Sequence, residues 1–181
     1  MKKKGIHITC ETCPQYFTLT EDEVLVQGSL ARVNPPLRTA QDVKGIIAGL
    51  KDGTIDAIAT DHAPHSAEEK ARPLVRAPSG MIGLETSLAI TLTQLYHTGK
   101  MELPEIIRRM STNPSDILHL PKGRMSLGVD GDLTIFDPNE EWTVDPERFA
   151  SKARNTPFGG WKVKGRVKYT IVKGRVIYRQ A

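Results

Sequence analysis

The chain has 181 residues, 39% of them hydrophobic and 25% charged, which is enough for one folded domain and excludes a disordered chain. The formal net charge is +4, but the Lys and Arg residues are scattered without interleaved aromatics, so no nucleic-acid footprint is expected. No apolar run approaches the length of a membrane helix, and "IHITCE" after "MKKKG" is too short and polar for a signal-peptide core, so a cytoplasmic location follows by default.

In chain order, "GIHITCE" (5–11) alternates as a strand does. Thr20 is expected to cap a short helix opening at "TEDE", with Glu23 completing a capping box. "NPPLR" (34–38) is a rigid loop, because two prolines forbid regular structure. Residues 39–53 form an amphipathic helix with Val43, Ile46, Ile47 and Leu50 on one face and Gly53 at its end. "TIDAIAT" (54–60) is a strand, apolar on both faces as in a buried parallel sheet. Residues 61–80 make a long polar loop, and loops of that length are usually functional.

Helices are expected over about 84–98, 103–111 and 114–120, the last with Asn113 as N-cap and Pro114 at its first position. After about residue 122 the pattern changes. "DGDLTIFD" (130–137) and "GRVKYTIVKGRVIY" (165–178) read as short antiparallel strands joined by glycine turns. The chain is therefore α/β with an appended β module and no internal repeat.

The chemistry concentrates in "ATDHAPH" (59–65). Asp61 ends a strand, and in a parallel α/β barrel that end carries the reacting groups. A carboxylate there binds a metal or accepts a proton, or else serves as a turn or cap residue. Ala63-Pro64 makes the segment non-helical, so spacing does not set His62 and His65 on one face. His65 then reads as a substrate-binding donor, and His62 as packing against or orienting Asp61. His7 reads as a satisfied interior group, and His97 and His119 as partners of helix dipoles. Asn34, stiffened by two prolines, is either a ligand contact or a turn residue. Cys10 and Cys13 lack the second pair that a structural zinc site needs. The extended residues after Cys13 lack the helix N-terminus of a redox pair, so both read as reduced thiols. "NTPFGG" (155–160) reads as a packing clasp.

Taken together, "NPPLRT", "DGTIDAIATDHAPHSAEEK", "GLET", "NPSDIL", "GDLTIFDP" and "SKARNTPFGG" resemble, in this order, the C-terminal part of bacterial class I dihydroorotases of the amidohydrolase superfamily. The resemblance covers almost the whole chain. It implies the last part of a (β/α)8 TIM barrel over 1–122, about two βα units, and strands of a β-sandwich over 123–181. It implies zinc-dependent, reversible hydrolysis of dihydroorotate to N-carbamoylaspartate in pyrimidine biosynthesis, with two zinc ions. Asp61 would bind one zinc and shuttle the proton. Asn34 and His65 would contact the substrate through their side chains, and Ser79 and Gly80 through the backbone.

Two positions depart from that family. Its "TPHH" is here "CPQY" (13–16), as in hydantoinases and dihydropyrimidinases, and its "APFG" is "APSG" with Ser79. The family's remaining metal ligands and earlier barrel strands correspond to nothing in this chain. A portion of the fold is therefore expected, inactive alone and associating with the missing half or with its own copies. The alternatives are a hydantoinase or allantoinase portion, a non-catalytic interaction subunit, and a Cys-x-x-Cys redox protein.

Overall fold

The computed structural model describes residues 2–180, without the side chain of Lys3. Eleven labelled elements follow one another. They are β1 (Glu11–Thr12), α1 (Glu23–Gln27), α2 (Ala40–Asp52), β2 (Ala57–Ile58), α3 (Ala67–Lys70), α4 (Ser87–Thr91), α5 (Leu103–Ile107), α6 (Asn113–Ile117), β3 (Leu133–Thr143), β4 (Lys162–Val172) and β5 (Arg175–Arg179).

The two strands expected first are much shorter than the apolar pattern suggests. β1 and β2 pair in parallel, Glu11 with Ala57 and Thr12 with Ile58. Hydrogen bonds from Asp56 N–H to Cys10 O and from Ala59 N–H to Thr12 O extend the ladder slightly. Residues 4–11 are exposed, so His7 is not an interior group. A strand needs partners on its flanks, and among the described residues β1 has only β2.

α2 matches expectation closely. Thr39 and Asp42 form a capping box, and Gly53 ends the helix in the left-handed region, at φ 83°. Leu50 is fully buried, with Ile46 and Ile47 packed on the same cluster as Phe17, Ile58, Leu92, Leu95 and Ile106. Arg109 donates to Leu50 O at 2.9 Å, satisfying a C-terminal carbonyl of α2.

α1 departs from its sequence reading. Asp22, not Thr20, occupies the N-cap, and no side chain accepts a bond there. Thr20 instead donates its hydroxyl to Asp22 at 3.3 Å.

α4 begins at Ser87 and runs on through a wide π turn, Leu92–Tyr96. α5 does the same over Arg108–Thr112 and passes straight into α6. The break expected at Asn113 is absent. Asn113 is helical, and its amide donates to Asp56 O at 2.7 Å rather than capping. Pro114 has no N–H to give, and the wider turn before it lets the helix continue. His97 and His119 both stand at helix ends, His97 just after the π turn and His119 just after α6. His97 donates its ring N–H to Pro138 O at 2.7 Å, tying α4 to β3, and His119 is exposed with φ 54°.

β3, β4 and β5 form an antiparallel sheet in that order. β3 runs past the expected end at Asp137, because Pro138 sits in an irregularity between Asp137 and Glu141. Lys173 and Gly174, both at positive φ, make the tight turn between β4 and β5. Val144, Phe158 and Val163 pack against Ala89 and Ile90 of α4. Gly165 allows the close approach: a Cβ there would lie 2.4 Å from Leu92 Cδ1. No described helix is long and apolar enough to cross a membrane.

Candidate functional site

Asp61 follows β2 and adopts φ 49°, the left-handed region that Asp tolerates better than most residues. Its residue is exposed, so the carboxylate meets solvent at the C-terminal end of the strand. Two constraints set the backbone around it. Asn113 holds Asp56 O at the other end of β2, and Gly83 packs so close that a Cβ would lie 2.9 Å from Thr60 O.

Beside Asp61 lie Cys13 and Tyr16 of the "CPQY" segment. Burial pushes the Cys13 thiol up to about 12, with the Asp61 charge the next cause and Glu11 after it. Burial likewise pushes the Tyr16 hydroxyl up to about 12, again reinforced by Asp61. Both groups therefore remain neutral at physiological pH. Tyr16 donates its hydroxyl to Pro35 O at 2.9 Å, which ties the "CPQY" segment to the loop carrying Asn34. Asn34 itself is exposed, and the Asn34–Pro35 peptide is cis.

His62 faces away from a ligand role. Its Nδ1 accepts from Gly83 N–H at 3.1 Å and from Leu84 N–H at 3.3 Å. Those two donors fix the tautomer with the proton on Nε2. His62 also bridges to Met81 in parallel, and Ala63 N–H donates to Met81 O at 2.9 Å.

His65, Ser79 and Gly80 come together. His65 donates its Nε2–H to Ser79 O at 3.1 Å, and its Nδ1 lies 3.8 Å from Glu69 Oε2. Glu69 closes a capping box with Ser66 over α3, so the short helix begins two residues after His65. A bond from the Ser66 backbone lowers the Glu69 pKa, and His65 adds to that.

Two residues not expected as site residues, Lys70 and Asn155, hold this part of the site, and Glu85 anchors residues 150–151. Lys70 is buried and donates to Pro78 O at 3.0 Å and to Gly80 O at 2.9 Å. Burial, then the nearby Arg32, lowers its pKa. Asn155, in the "NTPFGG" segment, donates to Ala63 O at 2.9 Å and Gly80 O at 3.2 Å and accepts from His65 N–H at 3.1 Å. Glu85 of "GLET" accepts from Ala150 N–H and Ser151 N–H at 3.0 and 3.1 Å. An Asn before Thr-Pro is the one sequence signal that could have marked Asn155, whereas Lys70, directly after Glu68 and Glu69, reads locally as a solvated charge.

The metal question turns on donor count. Among the described residues no three His, Cys, Asp or Glu side chains gather to hold an ion. Asp61 is exposed and free to serve as one ligand, while His62 is committed to backbone bonds. The chain fits a metal only as a contributor of a single carboxylate, since a catalytic zinc takes three protein ligands.

With that geometry, the likenesses to known proteins are specific. A dihydroorotase of Anaplasma phagocytophilum is 47% identical over 178 residues, 98% of this chain and 40% of the relative. A dihydroorotase of Acetivibrio thermocellus is 49% identical over 179 residues, 99% of this chain and 42% of the relative. Among solved structures, the L-hydantoinase (dihydropyrimidinase) of Arthrobacter aurescens superimposes with a TM-score of 0.93 at 31% identity. It covers 99% of this chain, which covers 41% of it. The chain thus spans about two fifths of the length of the curated relatives it matches. The profile of the amidohydrolase family matches residues 1–177, and the chain belongs to that family.

Proposed function

We propose that this chain supplies part of the active site of a cyclic amidohydrolase acting on dihydroorotate, and that Asp61 is its proton carrier. The observation that carries the reading is the Asp61 carboxylate itself, exposed at the end of β2 while His62 is turned into backbone bonds. The identity of 47–49% to dihydroorotases favours dihydroorotate as the ring. In this reading, residues 1–122 are the last part of a (β/α)8 barrel and residues 123–181 belong to a β-sandwich. The enzyme is cytoplasmic and zinc-dependent, serves pyrimidine biosynthesis, and associates with the rest of the barrel or with further copies of itself.

Asp61 would hold zinc together with ligands supplied by the rest of the barrel, and zinc bound there would provide a nucleophile at neutral pH and polarise the ring carbonyl. Asp61 accepts the proton of the attacking water and returns it to the ring nitrogen as the amide C–N bond breaks. The substrate is an anion. Asn34 and His65 offer it side-chain donors, and Ser79 and Gly80 offer backbone groups. His65 can turn to substrate only by exchanging its bond to Ser79 O.

A second reading, a hydantoinase or dihydropyrimidinase portion, draws on the "CPQY" segment and the L-hydantoinase likeness. Activity separates the two. Combined with the remainder of a barrel, the protein should open dihydroorotate in preference to hydantoin. The reverse preference would overturn the dihydroorotate reading. Elemental analysis of the chain alone should give well under one zinc per molecule, and one tightly bound zinc with turnover would overturn the single-ligand account.

A further inference from the structure

Asn155 lies ninety residues beyond His65 in the chain, yet its side chain bonds to both segments that carry the proposed substrate contacts. It is 3% exposed. Its carbonyl accepts from His65 N–H, and its amide nitrogen donates to Ala63 O in one segment and Gly80 O in the other. Its own backbone carbonyl accepts from Ile82 N–H at 3.0 Å, which sets the register of the second segment. All three hydrogen-bonding positions in use are needed at once, and only a carboxamide presents a donor pair and an acceptor at this size.

The surroundings leave no slack. A Cβ on Gly80 would lie 2.5 Å from Ala63 Cβ, so the segments already touch where Asn155 bridges them. Lys70 bonds the same Gly80 carbonyl from the other side, but it reaches only the Pro78–Gly80 segment. The segments also meet directly, through His65 Nε2–H to Ser79 O and Ala63 N–H to Met81 O, and Asn155 braces both from outside. An aspartate would keep the acceptor for His65 N–H while turning a carboxylate oxygen toward two carbonyls. An alanine would leave the His65 N–H and the Ala63 carbonyl without these partners, while Gly80 O would keep only its bond from Lys70.

We propose that Asn155 is a positioning residue that sets the separation between His65 and Ser79–Gly80, and thereby the fit of the anionic substrate. The part of this inference that concerns substrate rests on the function proposed above. The part that concerns geometry does not.

The test has two arms. In the chain itself, amide exchange at His65 should be at least about ten times faster in Asn155→Ala than in wild type. In Asn155→Asp it should remain within about threefold, because the acceptor survives. The amides of Leu50, Ile90 and Val163 should keep their protection in both. Unchanged exchange at His65 in Asn155→Ala would overturn the proposal. So would equal acceleration at His65 and at those core amides, since that describes a general packing role. In the completed enzyme, both variants should raise KM for dihydroorotate about tenfold or more with kcat within about threefold. A fall in kcat at unchanged KM would overturn the substrate part. Absence of dihydroorotate hydrolysis in the wild-type enzyme would instead refute the proposed function, leaving the exchange arm to decide the role of Asn155.

Discussion

His65 and Ser79 are bonded to each other: the imidazole Nε2–H donates to the Ser79 carbonyl oxygen at 3.1 Å. Both residues are proposed substrate contacts, so substrate must compete with this bond for the imidazole proton. Removing the ring in His65→Ala frees the carbonyl and deletes the donor. A hydrogen bond to a charged group is worth about 1.5–3 kcal/mol, so KM for dihydroorotate should rise about ten- to a hundredfold. Asn155 still holds the His65 backbone N–H, so thermal unfolding should shift less than in Asn155→Ala. Steady-state kinetics and a melting curve on each variant check both statements. An unchanged KM would remove His65 from the site.

Asp61 allows chemistry and backbone to be separated. Its left-handed conformation, φ 49°, suits Asn as well as Asp. Asp61→Asn should therefore leave the melting temperature nearly unchanged while turnover of the completed enzyme falls at least about a hundredfold. Asp61→Ala should lose the same activity and in addition about 1–2 kcal/mol of stability, because a Cβ without a polar group disfavours this region. Residual activity within about tenfold of wild type in Asp61→Asn would end the proton-carrier role.

Much of this arrangement can be read in the sequence, for identifiable reasons. α2 was legible because its apolar spacing and its terminal glycine agree with one another. The β4–β5 hairpin was legible because Lys173-Gly174 suits the tight turn it makes. The strand lengths at residues 5–11 and 54–60 were not, because apolar alternation reports where a strand fits and pairing decides how far it extends. Asn113 misled for a related reason. Its local pattern says cap, while Asp56 O, 57 positions away, takes the amide. Asn155 was noticed only as part of a packing clasp, since its partners lie 75 to 92 positions away and no local pattern encodes them.

Gly80 should resist substitution. Its φ of 134° is strained for any side chain, and a Cβ would meet Ala63 Cβ at 2.5 Å and His65 Nε2 at 3.1 Å. Gly80→Ala should cost about 1–3 kcal/mol by overpacking and should weaken substrate binding by displacing His65. Adding Ala63→Gly removes the closest contact but not the backbone strain, so the double variant should recover only part of the loss. Denaturant melts of the single and double variants measure this. Full recovery would mean that the clash alone, and not the conformation, makes Gly80 necessary.

The two cysteines should behave very differently. Cys10 is exposed, whereas burial and the Asp61 charge push the Cys13 thiol up to about 12. At pH 8 iodoacetamide should modify Cys10 and spare Cys13, because the thiolate is the reacting form. The same shift fixes a pH dependence of stability. The ordinary value for the Cys13 thiol is 9.0, so above that pH the unfolded chain gives up the proton while the folded chain keeps it until about 12. Stability from this group is therefore complete below pH 9.0 and declines as pH rises toward 12. Tyr16 acts in the same direction between 10.0 and about 12. Melting temperature should fall across that alkaline window in wild type and fall less steeply in Cys13→Ala, with the remaining slope starting near the Tyr16 range. Rapid modification of Cys13 at pH 8, or equal slopes in the two proteins, would show that the thiol is not held neutral beside Asp61. In that event the redox reading of the Cys-x-x-Cys pair would regain its footing.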